Sequence, residues 1–328
     1  MTPRRRKLLL GFAGVLAAPG QSLGQTAKPI PRVTIVFSGT RDAQSARLAA
    51  FVEGMREQGY ADGRNVALDV RYADGKLDRL PEIVRELLER KPDVIVLAGS
   101  QAIWAAKKAT STVPIVMVSV ADPVGQGLIA SLARPGGNVT GLAILTELLV
   151  SKRLELLREV FPKTLRVGHL VNSKNPVTVI LRKQNEIAAA KLGIEMREFD
   201  AGNSAELDSA LAAIATQRPH AVTVFEDALF FNFRKKIADF LLQNRIPSIH
   251  GFRESAIEGG LMSYTVNFDE NYRKSATFVH KILKGAKPGE LPVEQPTRFE
   301  LMVNLNTAKA LGVTIPRSVL LRADQVIE

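Results

Sequence analysis

The chain has no cysteine, one tryptophan and only four histidines in 328 residues. The missing thiol excludes disulfide scaffolds, zinc ribbons, thiol nucleophiles and iron–sulfur ligation, and it leaves nothing to carry a lipid anchor. His169, His220, His250 and His280 are far apart in sequence, with no H-E-x-x-H or related spacing, so no metal site is expected. Neither a G-x-S-x-G elbow nor a G-x-x-x-x-G-K-S/T phosphate loop occurs, and no catalytic residue or cofactor is assigned. Gly125-Gln126-Gly127-Leu128-Ile129-Ala130 imitates a dinucleotide fingerprint. However, Asp122-Pro123-Val124 separates it from its strand, and Glu147, the acid about 20 residues on, lies past the last strand of its unit.

Acidic residues are missing from residues 1–24, where Arg4, Arg5, Arg6 and Lys7 precede an apolar run over 8–18. The run falls short of the ~20 residues a spanning helix needs. Pro19 breaks it, and Ser22-Leu23-Gly24 sets small residues before a cut ahead of Gln25, so 1–24 reads as a cleaved secretory signal. Arg5-Arg6-Lys7-Leu8-Leu9 fits both a basic Sec n-region and a loose twin-arginine pattern. No later run is long enough to span a bilayer, and a soluble protein free in the periplasm is expected. The rest of the net charge of +11 is spread along the chain without an arginine-rich tract or aromatic–basic interleaving, so no nucleic-acid partner is expected.

At ~150 residues per domain, this length gives about two domains. From Arg32 onward, β-branched runs alternate with amphipathic helical stripes. Strands are predicted at 33–38, 66–72, 94–99, 115–120 and 139–143, then at 167–171, 196–200, 222–226, 248–252 and 262–266. Stripes such as Leu48, Phe51, Val52, Met55 and Leu80, Ile83, Val84, Leu87 lie between them. Runs that are apolar at nearly every position suit parallel strands buried on both faces. The pattern restarts near 145–149, which implies an α/β protein of two doubly wound parallel-sheet lobes.

Ligands of such sheets sit at the carboxyl ends of the strands. The first half places Ser38 and Thr40, then Gly99, Ser100 and Gln101, then Ser119 and Asp122, in those loops. Helix N-termini there offer N–H groups to an anion, although Ser100 and Asp122 also suit simple helix caps. The second half places Ser173, Asn175, Asp227 and Phe252 in the equivalent loops. Asp227 has two roles open to it, facing a cationic group in a cleft or capping the helix that follows. A zwitterion, with its carboxylate on the first half and its ammonium on Asp227, is the expected ligand.

Linked blocks run in one order through the chain. They include Gly59-Tyr60-Ala61-Asp62-Gly63-Arg64-Asn65-Val66, Asp122-Pro123-Val124-Gly125, Arg134-Pro135-Gly136-Gly137-Asn138-Val139-Thr140-Gly141, and Gly259-Gly260-Leu261-Met262-Ser263-Tyr264. Ile282-Leu283-Lys284-Gly285-Ala286-Lys287-Pro288 and Leu291-Pro292-Val293-Glu294-Gln295-Pro296 follow. Through these blocks the chain resembles the ABC-transporter substrate-binding protein family, in a branch related to tryptophan- and other aromatic-amino-acid-binding proteins. The resemblance implies the type I periplasmic binding fold, with two lobes joined by a hinge of three crossings and a ligand between them. It implies a lobe of 25–145 to which 262–287 returns and a lobe of 146–261 to which 288–328 returns, hinged near 145–149 and 258–261. It implies a monomer that carries a small molecule, an amino acid or a related zwitterion, to an inner-membrane permease and ATPase. A periplasmic sensor that shows its ligand to a membrane receptor, and an α/β periplasmic enzyme, are the rival readings.

Overall fold

The computed structural model describes residues 30–163, 166–296 and 298–328. The expected signal over 1–24 lies outside the described residues. No helix among those described is long and apolar enough to cross a membrane.

The first lobe is built from β1 (Arg32–Phe37), α1 (Ser45–Glu57), β2 (Ala67–Tyr72), α2 (Leu80–Glu89), β3 (Val94–Ala98), α3 (Ser100–Ala109), β4 (Ile115–Ala121) and β5 (Val139–Ile144). Its sheet is parallel, in the order β2-β1-β3-β4-β5. The central strands are apolar at almost every position because helices cover both faces. One face holds the α2 stripe of Leu80, Ile83, Val84 and Leu87, which packs against Ile95, Leu97 and Met117.

The second lobe takes up α4 (Thr146–Val160), β6 (Arg166–Val171), α5 (Thr178–Leu192), β7 (Glu195–Asp200), α6 (Ser204–Gln217) and β8 (Ala221–Val224). It continues with α7 (Ala228–Asn232), α8 (Arg234–Gln243), β9 (Ser248–His250), α9 (Arg253–Ile257) and β10 (Met262–Thr265). The chain then crosses back as α10 (Phe268–Leu283), which lies along α1 and fills the other face of the first sheet with Tyr272, Ala276, Phe278 and Val279. Finally β11 (Glu300–Asn304), α11 (Leu305–Leu311), α12 (Arg317–Leu320) and β12 (Gln325–Ile327) complete the second sheet, in the order β12-β11-β10-β9-β8-β6-β7.

The lobe boundaries differ from the expectation at both returns. Residues 262–265 do not go back to the first lobe, because β10 pairs in parallel with β9 and antiparallel with β11. The crossing therefore lies at 266–267, and 258–261 is an internal turn of the second lobe rather than a hinge. Residues 288–296 also stay with the first lobe. Thr140 donates to the Leu291 carbonyl at 2.8 Å, and Glu294 bonds the backbone of Gly141 and Ala143 beside β5. The third crossing follows Pro296. The antiparallel β10–β11 pair makes the second sheet mixed, where a purely parallel one was expected, and β12 had no counterpart in the sequence reading.

One irregularity shapes the cleft. The β4–β5 register advances from Met117↔Gly141 to Val120↔Ala143, so β4 carries one extra residue, a β-bulge. Ser119 within it adopts φ +55°, a left-handed conformation that is uncommon outside glycine. Gly141 (φ +129°) makes room for the bulge, since a Cβ there would stand 2.2 Å from the Met117 carbonyl oxygen.

Candidate functional site

The carboxyl ends of β1, β3 and β4 face those of β6, β8 and β9 across a cleft, and the lobes touch over it. Arg47 of α1 reaches Glu254 of α9 at 3.4 Å, and Arg253 pairs with Asp269 of α10. Phe252 packs on Phe268 with ring centroids 5.1 Å apart. Between the lobes lies a cavity of about 80 Å³.

The first lobe lines it with Ser38 after β1, with Gly99, Ser100, Gln101 and Ala102 at the start of α3, and with the β4 bulge. Gly99 has φ +82° and ψ 141°, a conformation nearly reserved for glycine, and a Cβ on it would meet nothing within 4 Å. No side chain caps α3. The first-turn N–H groups of Ser100, Gln101 and Ala102 have no intrahelical acceptor, and the helix dipole adds partial positive charge there. The bulge presents Ser119, whose hydroxyl accepts from Asn271 Nδ2 at 2.7 Å. Tyr272 lines the same wall, and burial pushes its phenol up to about 12.

The second lobe contributes rings and a buried ion pair. Phe225, Phe231 and Phe252 line the cavity opposite Phe268. Glu226 also lines it, with its carboxylate held in a fork by Arg153 of α4, and both side chains are at least nine-tenths buried. Arg153 Nη1 donates at 2.8 Å to one carboxylate oxygen and Nη2 donates to the other, while Nε donates to the Tyr264 carbonyl at 2.8 Å. The Arg47 guanidinium stands over Phe231 at 3.9 Å, Phe268 at 5.0 Å and Phe252 at 5.4 Å.

Seven of the expected residues line this cavity: Ser38, Gly99, Ser100, Gln101, Ser119, Asn175 and Phe252. The other four lie elsewhere, each for a local reason. Thr40 lines an outer groove at the cleft mouth and accepts weakly from the Ala43 N–H. Asp122, at φ +38°, caps a turn by accepting the Gly125 N–H at 2.8 Å. Ser173 gives its N–H and its hydroxyl to Asp200 at the end of β7. Asp227 does not line the cavity but caps α7. One carboxylate oxygen accepts from the Leu229 N–H and Asn172 Nδ2, the other from Asn175 Nδ2 at 2.7 Å. Burial pushes its carboxyl up from the ordinary range, while those three donors pull it back down.

The sequence reading missed Gln44, Arg47, Thr146, Phe231, Phe268 and Tyr272 as lining residues. A signal for Phe231 and Phe268 was available, since each follows a strand's carboxyl end by a few residues. Arg47 carried a weaker one, standing four positions before buried Phe51 on the inner face of α1.

Residues 32–327 match the family model of ABC transporter substrate binding proteins. The chain is 28% identical over 263 residues to the tyrosine-binding protein of Clostridioides difficile (strain R20291), covering 80% of this chain and 75% of that protein. A conserved domain protein from Vibrio cholerae superposes with a TM-score of 0.85 at 30% identity, over 90% of this chain and 99% of its own. The ABC domain in complex with L-Trp from Streptococcus pneumonia superposes at 0.84 and 23% identity, over the same shares of the two chains.

Proposed function

The chain belongs to the ABC transporter substrate-binding protein family, and from that premise we propose that it captures an aromatic amino acid between its lobes for delivery to a permease. The observation that carries this reading is the meeting, in one cavity, of the uncapped start of α3 with a cluster of aromatic rings. The ligand carboxylate meets the N–H groups of Ser100 and Gln101, where the helix dipole favours negative charge. Its ring lies among Phe231, Phe252, Phe268 and Tyr272, where aromatic pairs gain beyond simple burial. Its ammonium meets Glu226 rather than Asp227. Each Glu226 oxygen holds one bond from Arg153 and keeps a lone pair, whereas the Asp227 oxygens already serve three donors.

Charge balance supports a zwitterion. Arg47 and Arg153 are matched in number around the cleft by Glu226 and Glu254, so a ligand of zero net charge keeps the formal charge of the cleft balanced. The tyrosine-binding relative and the L-Trp complex support the aromatic class. The basic and apolar start of the sequence supports export, which puts the protein in the periplasm as a monomer serving a permease and its ATPase. Closure of the lobes around the three crossings takes the ligand out of water.

A thermal-shift screen over amino acids, sugars and organic acids tests the reading. Tyrosine, tryptophan or phenylalanine at about 100 times its dissociation constant stabilises the protein by roughly 2.7 kcal/mol. Melting shifts with sugars or simple anions alone, and none with any amino acid, refute it.

A further inference from the structure

Arg47 is more than nine-tenths buried, yet its charge is poorly met. Its bonds to Gln44 Oε1 and Glu254 Oε1 are both 3.4 Å, beyond the usual ~2.7–3.2 Å range, and its Nε has no partner. The second oxygen of Glu254 is also buried without a partner. Stacking on the rings occupies the faces of the guanidinium, which leaves its in-plane N–H donors as the unmet need. Closure assembles this cluster, because Arg47 and Phe268 come from one lobe and Phe231, Phe252 and Glu254 from the other.

We infer that Arg47, positioned by Glu254, forms a selectivity subsite for a ring hydroxyl, which makes the cleft selective for a phenolic amino acid over phenylalanine and tryptophan. The inference rests on the amino-acid reading above and adds which ring is preferred. A phenol oxygen accepts from the guanidinium of Arg47, which lines the cavity, while Glu254 stands beside Arg47 outside that lining and positions it. An unsubstituted phenyl ring offers the guanidinium no acceptor. An indole N–H donates only, and leaves the guanidinium as it was. Discrimination by a buried polar site against a ligand lacking the matching group is the strong kind, since the site's own groups are then left unpaired.

Calorimetric titration with L-tyrosine, L-phenylalanine and L-tryptophan tests this. The wild-type protein is expected to prefer tyrosine by about tenfold or more, the size of a charge-assisted hydrogen bond. Arg47→Met keeps the stem packed on the rings and should reduce the tyrosine-to-phenylalanine ratio to about twofold. Should that variant fail to fold, Glu254→Leu and the wild-type ratio carry the test, with the ratio again falling in the variant. Phenylalanine or tryptophan binding the wild type as tightly as tyrosine overturns the inference while leaving the amino-acid reading standing. So does a preference that survives in Arg47→Met. If none of the three binds, the amino-acid reading falls and the subsite falls with it.

Discussion

Replacing Arg153 by methionine isolates the buried fork it makes on Glu226. The side chains are 4% and 6% exposed, so neither charge has water to fall back on. Methionine keeps most of the stem but removes all three donors, to both Glu226 oxygens and to the Tyr264 carbonyl. Breaking one side of a buried pair costs about 3–5 kcal/mol, because the remaining ion is stranded. For a unit of this size each kcal/mol moves the melting temperature by about 2–4 °C, so the ligand-free variant should melt roughly 10 °C lower. Adding Glu226→Leu removes the stranded carboxylate and should recover most of that loss, since an apolar pair of similar volume is nearly neutral. Urea unfolding followed by circular dichroism measures all three proteins. Trp104, the sole tryptophan, sits on α3 of the first lobe, and its fluorescence provides a control remote from the substitution. A loss below about 1 kcal/mol for Arg153→Met, or a double variant no more stable than the single, would refute the reasoning.

Acid should destabilise the fold in a defined window. Burial holds His169 down at about 4 and His250 at about 3, against ~6.5 in an unfolded chain. Between pH 6.5 and 4 the unfolded chain therefore binds protons that the folded one refuses, and stability falls as pH falls, by several kcal/mol for the two together. Asp227, raised by burial, works in the opposite direction and offsets part of the loss. Urea midpoints at pH 7, 5.5 and 4 measure the slope, which His169→Gln should flatten; an unchanged wild-type midpoint contradicts the assignment. Asp227→Asn should cost about 1–2 kcal/mol of stability through the damaged cap on α7, because the new amide nitrogen opposes donors from Asn172, Asn175 or Leu229. Equal melting temperatures for that variant and the wild type would show that the cap contributes nothing.

Alternation of apolar strands and striped helices made the two-lobe architecture legible, because doubly covered parallel strands need apolar residues at nearly every position. The α3 start was legible for the same local reason: Gly99 before Ser100 announces a turn at a strand's carboxyl end. Asp227 was not decidable locally, since a carboxylate in front of a helix suits a cap and a ligand equally; Asn172 and Asn175, some fifty residues earlier, take up what the cap bond to Leu229 leaves of it. Arg47 was hidden more deeply. A cation on a helix reads as solvated, and the rings that bury it come from α7, from the residue before α9 and from α10. The return at 262 failed because an apolar strand carries no label for its sheet. The pairing of β10 with β11 depends on a segment about forty residues downstream.

The late arrival of α10 has a consequence for how the molecule is made. As the polypeptide emerges from the ribosome, all five strands of the first sheet are present by Ile144. The side of that sheet bearing Val33, Ile35, Val94, Val96 and Val116 stays without Tyr272, Ala276, Phe278 and Val279 until most of the second lobe has followed. A nascent first lobe is thus left with that side covered only by Phe51 and Met55 of α1 through much of synthesis, and partly exposed apolar surface makes chains prone to stick to one another. That exposure follows from the order of the chain alone, since α10 is encoded after β6 to β10. It also means that a fragment ending near residue 145 should be recovered as aggregate, although it contains every strand of its sheet.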